Sequence, residues 1–408
     1  MHCRLCKSNN LASLIDFGNQ PIVHKLTKAQ EVFSEKSPYL RLSKFYPFHL
    51  VYCVNCGFIQ IENPIDPNIL YENYFTVSGW KSQPHVPRLV EVMESIFCLG
   101  EFDKILEIGC NDGSFFDYLR ERRYSNLVGI EPTLDSFQIA KEKGHNVFHK
   151  FWNYEYAKNF VSTEGKFDLV ITRQVLEHIS NLEDFMQAIH LSLKENGGLI
   201  IEIPDSQWNL DYLDYSLWEE HVNYFTIESL RNLLALNGFQ IIHSETTLFS
   251  GKALIVYCEK STRNTTGVKN SHNDKIINYG KIYPKFKSSL QKYLDSYKNV
   301  AVYGCGARSC NFVNFLGIKD HIKFFIDDQK EKQNAFVPGC GLEILNSENI
   351  FDKAKHILLG VNTENEFKVL KKKGLMNSTM SYHSILPPSK LLPDFWKEMI
   401  YGQLQSAN

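Results

Sequence analysis

Neither sign of charge predominates in this chain: 44 Lys plus Arg stand against 46 Asp plus Glu. No net field is therefore present to hold a nucleic-acid backbone or an anionic membrane surface. Long apolar runs are missing too, and no stretch approaches the roughly 20 residues that span a bilayer. The opening "MHCRLCKSNNLASL" has neither the apolar core nor the small-residue cleavage site of an export signal. Internal repeats and low-complexity tracts are absent. These absences point to a small-molecule partner and a cytoplasmic protein, a monomer or weak homodimer. In that compartment the ten cysteines are expected as thiols rather than disulfides.

What is present is enough for more than one core: 408 residues, 43 % hydrophobic and 13 % aromatic, where domains usually run about 100–200 residues. Residues 1–65 carry short strand-like stretches such as "HLVYCVNCGFIQIE" but too few apolar residues for a core of their own, so this module needs a staple. From about residue 101 strands and helices alternate through "DKILEIG", "NLVGIEP", "HNVFH", "FDLVITR" and "GGLIIEIP". "GFQIIHSETT" and "KALIVYCEK" follow as an antiparallel hairpin closing a doubly wound sheet. The polar stretch 261–275 reads as a surface linker. Beyond it "NVAVYGCG", "HIKFFIDD" and "HILLGVN" make a second α/β unit. The expected domains are 1–65, 66–260 and 261–408, the last two Rossmann-like.

Cys3, Cys6, Cys53 and Cys56 form two Cys-x-x-Cys knuckles, each able to give two thiolates to one tetrahedral zinc. Four thiolates fill the coordination sphere, so the metal would be structural. Gly57, Arg4 and Lys7 favour tight turns and thiolate formation. Chance pairs of buried thiols, or a redox pair, are the competing readings.

In "ILEIGCNDGSFFDYL" a strand runs into a glycine turn and a helix, and Gly109 and Gly113 let the backbone pass close to a ligand. Glu107 and Asp112, with Asn111 in the same turn, place carboxylates where a sulfonium and an ammonium are welcome and a pyrophosphate is repelled. That selects S-adenosylmethionine over a dinucleotide. Glu131 ends the next strand about 20 residues on, where an acid reaches ribose hydroxyls. Arg173 and Gln174 end the fourth strand, facing the same crevice. His178 follows Leu176 at helical spacing and reads more readily as a packing residue than as a catalytic one.

After the fifth strand, "PDSQWNLDYLDYSLWEEHVNYFT" is a long aromatic and acidic connection, and connections of that length inside compact domains tend to be functional. His221 is the candidate general base, with Glu220 to orient it or steady its charge and Trp218 and Tyr224 around the pair. The competing reading is a solvated helix turn. In the C-terminal unit "YGCGARSCNF" and Asp327 have the outline of a dinucleotide fingerprint, but Ser309 replaces its third glycine.

Taken together, "CRLC", "CVNCG", "LEIGCNDGSFFDYL", "VLEHISNLEDF", "EEHVNYFT" and "YGCGARSCNFVNF", in that order over almost the whole chain, resemble the sugar C-methyltransferase family. The resemblance implies methylation of the carbon next to the ketone of a nucleoside-diphosphate 4-keto-6-deoxysugar, typically C3 of a dTDP sugar. It implies that His221 removes the proton while Glu220 and a tyrosine support the enolate. Tyr74, in "LYENYFTVSGWKSQPHV", is the counterpart of that tyrosine; His85 in the same stretch packs or caps the site. It also implies that the C-terminal domain closes over the sugar nucleotide, with Arg308 and the backbone near Gly306 offered to phosphate; Asn362, which ends a later strand at the same edge, packs or lines it. One position departs from the family: Trp218 stands where a tyrosine is usual, and an indole donates a hydrogen bond but cannot exchange a proton. O- or N-methylation of a sugar or small metabolite is the alternative within transferases. A nicotinamide-dependent reductase or nucleotide-binding protein is the alternative outside them.

Overall fold

The computed structural model describes residues 2–28, 44–70, 83–263, 273–348 and 353–406. The N-terminal strands are β1 (Leu11–Pro21), β2 (Thr27–Lys28), β3 (Phe45–Cys53) and β4 (Ile59–Ile61). The next are β5 (Ile105–Ile108), β6 (Leu127–Ile130), β7 (Val147–Phe148), β8 (Phe167–Arg173) and β9 (Leu193–Pro204). A short β10 (Asn223–Tyr224) precedes β11 (Phe239–Thr247) and β12 (Ala253–Lys260). The C-terminal strands are β13 (Val300–Tyr303), β14 (Ile322–Ile326), β15 (Ala335–Phe336), β16 (Ile344–Leu345), β17 (His356–Leu359) and β18 (Ser381–Ser384).

β5 and β6 are buried at every position and, Glu107 apart, carry no polar side chain, as strands covered by helices on both faces must. They sit in a seven-stranded sheet ordered β11-β12-β9-β8-β5-β6-β7. β5 to β9 run parallel, and the hairpin β11–β12 adds antiparallel to β9. The chain winds one way from β5 to β7 and then restarts at β8 on the other side of β5. Ligands of such sheets bind outside the carboxyl ends at that switch point, here between the turns after β5 and β8. The C-terminal sheet, β16-β14-β13-β17-β18, is parallel throughout.

The small N-terminal module, expected to lack a core of its own, draws on both neighbours for one. Its sheet is β1-β3-β4-β10, so its edge strand comes from the segment after His221, and β2 pairs with β15 of the C-terminal domain. Its Phe17 and Phe48 rings pack on Phe315 at 4.4 and 4.8 Å, within a core shared with Leu213, Tyr215 and Phe286. The four cysteines belong to a second core, built on Leu176, Phe225 and the helices of the seven-stranded sheet. A module that cannot bury enough apolar surface alone thus takes it from both neighbours.

Candidate active site

The cysteine Sγ atoms all lie within 4.8 Å of one another, with Cys3–Cys56 and Cys6–Cys53 each at 3.6 Å. A tetrahedral zinc with bonds of about 2.3 Å holds sulfurs about 3.8 Å apart, so the quartet needs little adjustment to take one. The turns match as well: Lys7 and Gly57, each directly after the second cysteine of its knuckle, have φ of 62° and 70°. The hydrogen bond from Cys56 draws the Cys3 thiol down to about 6, while burial pushes Cys6 up to about 11. Four thiols this close cannot all ionise unless a cation offsets the charge. The cysteines are therefore suited to a structural zinc, which supplies cross-linking and no chemistry.

After β5 the chain turns through Gly109 (φ +77°) into the helix Ser114–Glu121. A Cβ on Gly109 would stand 2.4 Å from Val175 Cγ2, and one on Gly113 2.4 Å from His145 Cδ2. Glu131, at the end of β6, accepts from the Asn111 and Thr133 amides at 2.9 and 2.8 Å, which ties the two turns together; burial raises its carboxyl. Asp112 caps the helix through the Ser114 amide (3.0 Å) and pairs with Lys143 (3.3 Å), so its charge is partly countered. Glu107 is buried, its Oε2 has no hydrogen-bond partner, and burial raises it to about 8 against the pull of Arg173. An orphan carboxylate oxygen at this switch point, with Glu131 opposite, fits the ammonium and ribose of S-adenosylmethionine. Gly109→Ala is expected to cost about 5- to 150-fold in S-adenosylhomocysteine affinity, by overpacking worth about 1–3 kcal/mol. Titration calorimetry checks it.

Arg173 and Gln174 face the crevice as the sequence predicts, but their partner is a residue that sequence reasoning passed over. Glu202, paired with Arg173 across β8 and β9, receives Arg173 Nε at 2.9 Å, Gln174 Nε2 at 3.1 Å and His85 Nε2 at 3.2 Å. Burial alone would raise Glu202, but Arg173 and His85 hold it down to about 2. The available signal was an acid inside the otherwise apolar "LIIEI". His85 therefore braces the crevice.

The segment after β9 enters the same cavity, of about 590 Å³, which is lined by Glu107, Glu131, Glu177, His178, Trp218 and His221 among others. Residues 218–221 form a tight turn in which the His221 amide donates to Trp218 O (3.1 Å). His221 points to the cavity. The Glu220 carboxylate, expected to orient His221, instead stands 2.9 Å from His24 Nδ1 of the N-terminal module. The Tyr224 hydroxyl donates to Trp218 O (3.1 Å), so it fastens the turn. Trp218 Nε1 is buried with no protein partner, and its ring lies 4.9 Å from that of His221.

His178 is a correction to the packing expectation. It ends a 3-10 turn, Leu176–His178, and its ring stands edge-on to His221 at 5.0 Å. Its Nδ1 is 3.0 Å from Glu220 O, which fixes that nitrogen as the donor. Glu177, unremarked in the sequence, has both carboxylate oxygens buried without a hydrogen bond, and burial raises it to about 8. Glu177, His178 and His221 are, with the cysteines, the two groups among the described residues spaced to hold a cation.

Tyr74 lies outside the described residues. The phosphate role expected of Gly306 and Arg308 is not what the geometry favours. Gly306 does not line the cavity, and Arg308, which does, is already engaged. Its Nη2 meets Asp214 Oδ2 at 2.6 Å, its Nε meets Ser216 Oγ at 3.1 Å and its Nη1 meets Asn362 Oδ1 at 3.1 Å. Asp327 accepts from the Cys305 amide (2.8 Å) and pairs with Lys332 (3.4 Å), so the C-terminal glycine turn is closed by its own acid.

Comparison with known proteins agrees with this architecture. Residues 3–71 match a zinc binding domain, 85–244 a methyltransferase domain and 271–376 a C-methyltransferase C-terminal domain. The C-methyltransferase NovU of Streptomyces niveus is 19 % identical over 367 residues, covering 85 % of this chain and 86 % of that protein. The mitochondrial ubiquinone biosynthesis O-methyltransferase of Rattus norvegicus is 27 % identical over 157 residues, 34 % of this chain and 44 % of that one. This chain thus spans less than half the length of that O-methyltransferase. Among solved structures, magnesium protoporphyrin IX methyltransferase (ChlM) from Synechocystis PCC 6803 with bound SAM is 16 % identical, with a TM-score of 0.33 over 43 % of this chain and 78 % of that one. With zinc binding, methyltransferase and C-methyltransferase C-terminal domain matches in one order along it, the chain is an S-adenosylmethionine-dependent methyltransferase that is similar to the C-methyltransferases.

Proposed function

We propose that this protein methylates the carbon next to the ketone of a nucleoside-diphosphate 4-keto-6-deoxysugar, with His221 as the base. The observation that carries the reading is the placement of His221 and the unpaired Trp218 indole N–H in one cavity with the glycine turn and Glu131. When bound, S-adenosylmethionine supplies an electrophilic methyl group. Glu107, Glu131 and the turn through Asn111 are the residues to hold it. His221 takes the proton from the carbon, and the Trp218 N–H donates to the oxygen on which the resulting enolate charge collects. His178, its Nδ1 held by Glu220 O, stands beside the imidazolium that forms.

Burial, with His178 and Arg308 nearby, holds His221 well below its ordinary value. A lowered value keeps the ring neutral, and so basic, until the pH falls past it. The acid limb of kcat/KM assigned to His221 is therefore expected below about pH 6.5. A rate–pH profile whose acid limb lies at or above that value counts against His221 as the base.

The function is tested by incubating the protein with S-adenosylmethionine and a panel of nucleoside-diphosphate 4-keto-6-deoxysugars in heavy water, and following methyl gain and deuterium entry by mass spectrometry. Methyl on carbon, with deuterium entering unmethylated sugar, supports the reading. Methyl on oxygen or nitrogen overturns it in favour of heteroatom transfer.

A further inference from the structure

We propose that the zinc knuckle positions the catalytic segment, with Arg4, held between Cys3 and Cys6, setting the backbone that carries His221 and thereby the rate of proton removal. The proposal rests on His221 being the base. Arg4 Nη1 donates to Val222 O at 3.1 Å, directly after His221, and Nη2 donates to Ile61 O at 2.8 Å. One planar guanidinium thus bridges the last carbonyl of β4 and the carbonyl preceding β10, a fork that the point charge of a lysine cannot reproduce. Val222 O also accepts from the Ile61 amide (3.0 Å).

The connection continues past His221. The Arg4 amide donates to Gln60 Oε1 at 2.8 Å, and Gln60 lies opposite Asn223 in the β4–β10 register. Asn223 Nδ2 donates to Leu176 O (3.2 Å) and Ile179 O (2.7 Å), the carbonyls on either side of Glu177 and His178. A single run from the knuckle therefore reaches the backbone of both cavity histidines. The module grips the segment a second time just upstream. The Val23 amide donates to Glu219 Oε1 at 2.7 Å, and His24 Nδ1 stands 2.9 Å from Glu220 Oε1. Neither grip touches the glycine turn or Glu131, so cofactor binding should be indifferent to them.

Arg4→Gln, Arg4→Lys and Gln60→Ala would be compared with Asn55→Ala, a change inside the second knuckle at an exposed side chain that meets Ser8 Oγ at 3.0 Å and Asn10 Nδ2 at 3.2 Å. Zinc content, S-adenosylhomocysteine affinity, kcat, KM and deuterium entry are measured for each. Arg4→Gln is expected to keep its zinc and its cofactor affinity within about twofold. Its kcat and deuterium entry should fall together by on the order of 10- to 100-fold, the scale of a displacement of about 1 Å at a reacting group. KM should change less than about threefold, Arg4→Lys should fall between, and Asn55→Ala should match wild type. Adding Arg4→Gln to His221→Asn should lower the residual rate no further. If Arg4→Gln loses its zinc or fails to fold, Gln60→Ala, which leaves every metal ligand in place, must show the same kcat loss. Wild-type kcat in a zinc-replete Arg4→Gln or Gln60→Ala, or an equal loss in Asn55→Ala, overturns the proposal. Full activity in His221→Asn overturns the base assignment instead, and the two failures are read from different proteins.

Discussion

His221→Asn should lose methyl transfer by about 10²- to 10⁴-fold, the range that a positioned general base contributes. Its affinity for S-adenosylhomocysteine should stay within about twofold of wild type. Asparagine keeps much of the ring's volume and polarity but cannot accept a proton at working pH, so the change isolates basicity. Deuterium entry into the sugar should vanish with it, because exchange needs proton removal but no methyl group. His178→Asn provides the contrast. It leaves the base in place and removes a neighbour whose buried ring is itself held below its ordinary value. Transfer and exchange both surviving in His221→Asn would move the base elsewhere in the cavity, with Glu177 the nearest carboxyl lacking a partner.

Arg308→Ala should destabilise the protein by about 3–5 kcal/mol, the cost of stripping one partner from a buried ion pair, and should lower kcat. Asp214 is 2 % exposed, and without the guanidinium its charge keeps only the Ser216 amide (2.9 Å) and hydroxyl. Arg308 clamps the start of the segment that leads to His221, and Asn311 clamps its middle through Leu217 O (3.0 Å) and Glu219 Oε2 (2.6 Å). Release should loosen residues 214–219 and spread to His221. Urea denaturation with steady-state kinetics checks this. A phosphate-binding arginine would instead raise KM for the sugar nucleotide and leave the denaturation midpoint unmoved.

The Arg308 case shows where the sequence was legible and where it was not. A Gly-x-Gly turn before a helix that begins with arginine is locally identical whether the arginine meets phosphate or a carboxylate of the same chain. Only the docking of the C-terminal sheet on residues 214–219 distinguishes the two. The same holds for Glu220. Adjacency to His221 suggested a working pair, but the Glu220 carboxylate stands 2.9 Å from His24 Nδ1 of the N-terminal module. His178 was misjudged because its spacing after Leu176 looked helical, whereas a 3-10 turn brings it to the cavity wall.

By itself the sequence determined what is written locally: the two cysteine knuckles, the strand–glycine turn–helix around Gly109, the acid at the end of β6 and the apolar strands of both parallel sheets. Each is set by contacts within a few residues or by a period that the backbone imposes. The tertiary structure alone decided which side chains share the cavity, that the N-terminal module completes its sheet with β10, and that its cores are those of its neighbours. Those outcomes depend on pairings between residues as far apart as Arg4 and Val222, and no local pattern encodes a partner more than two hundred positions away.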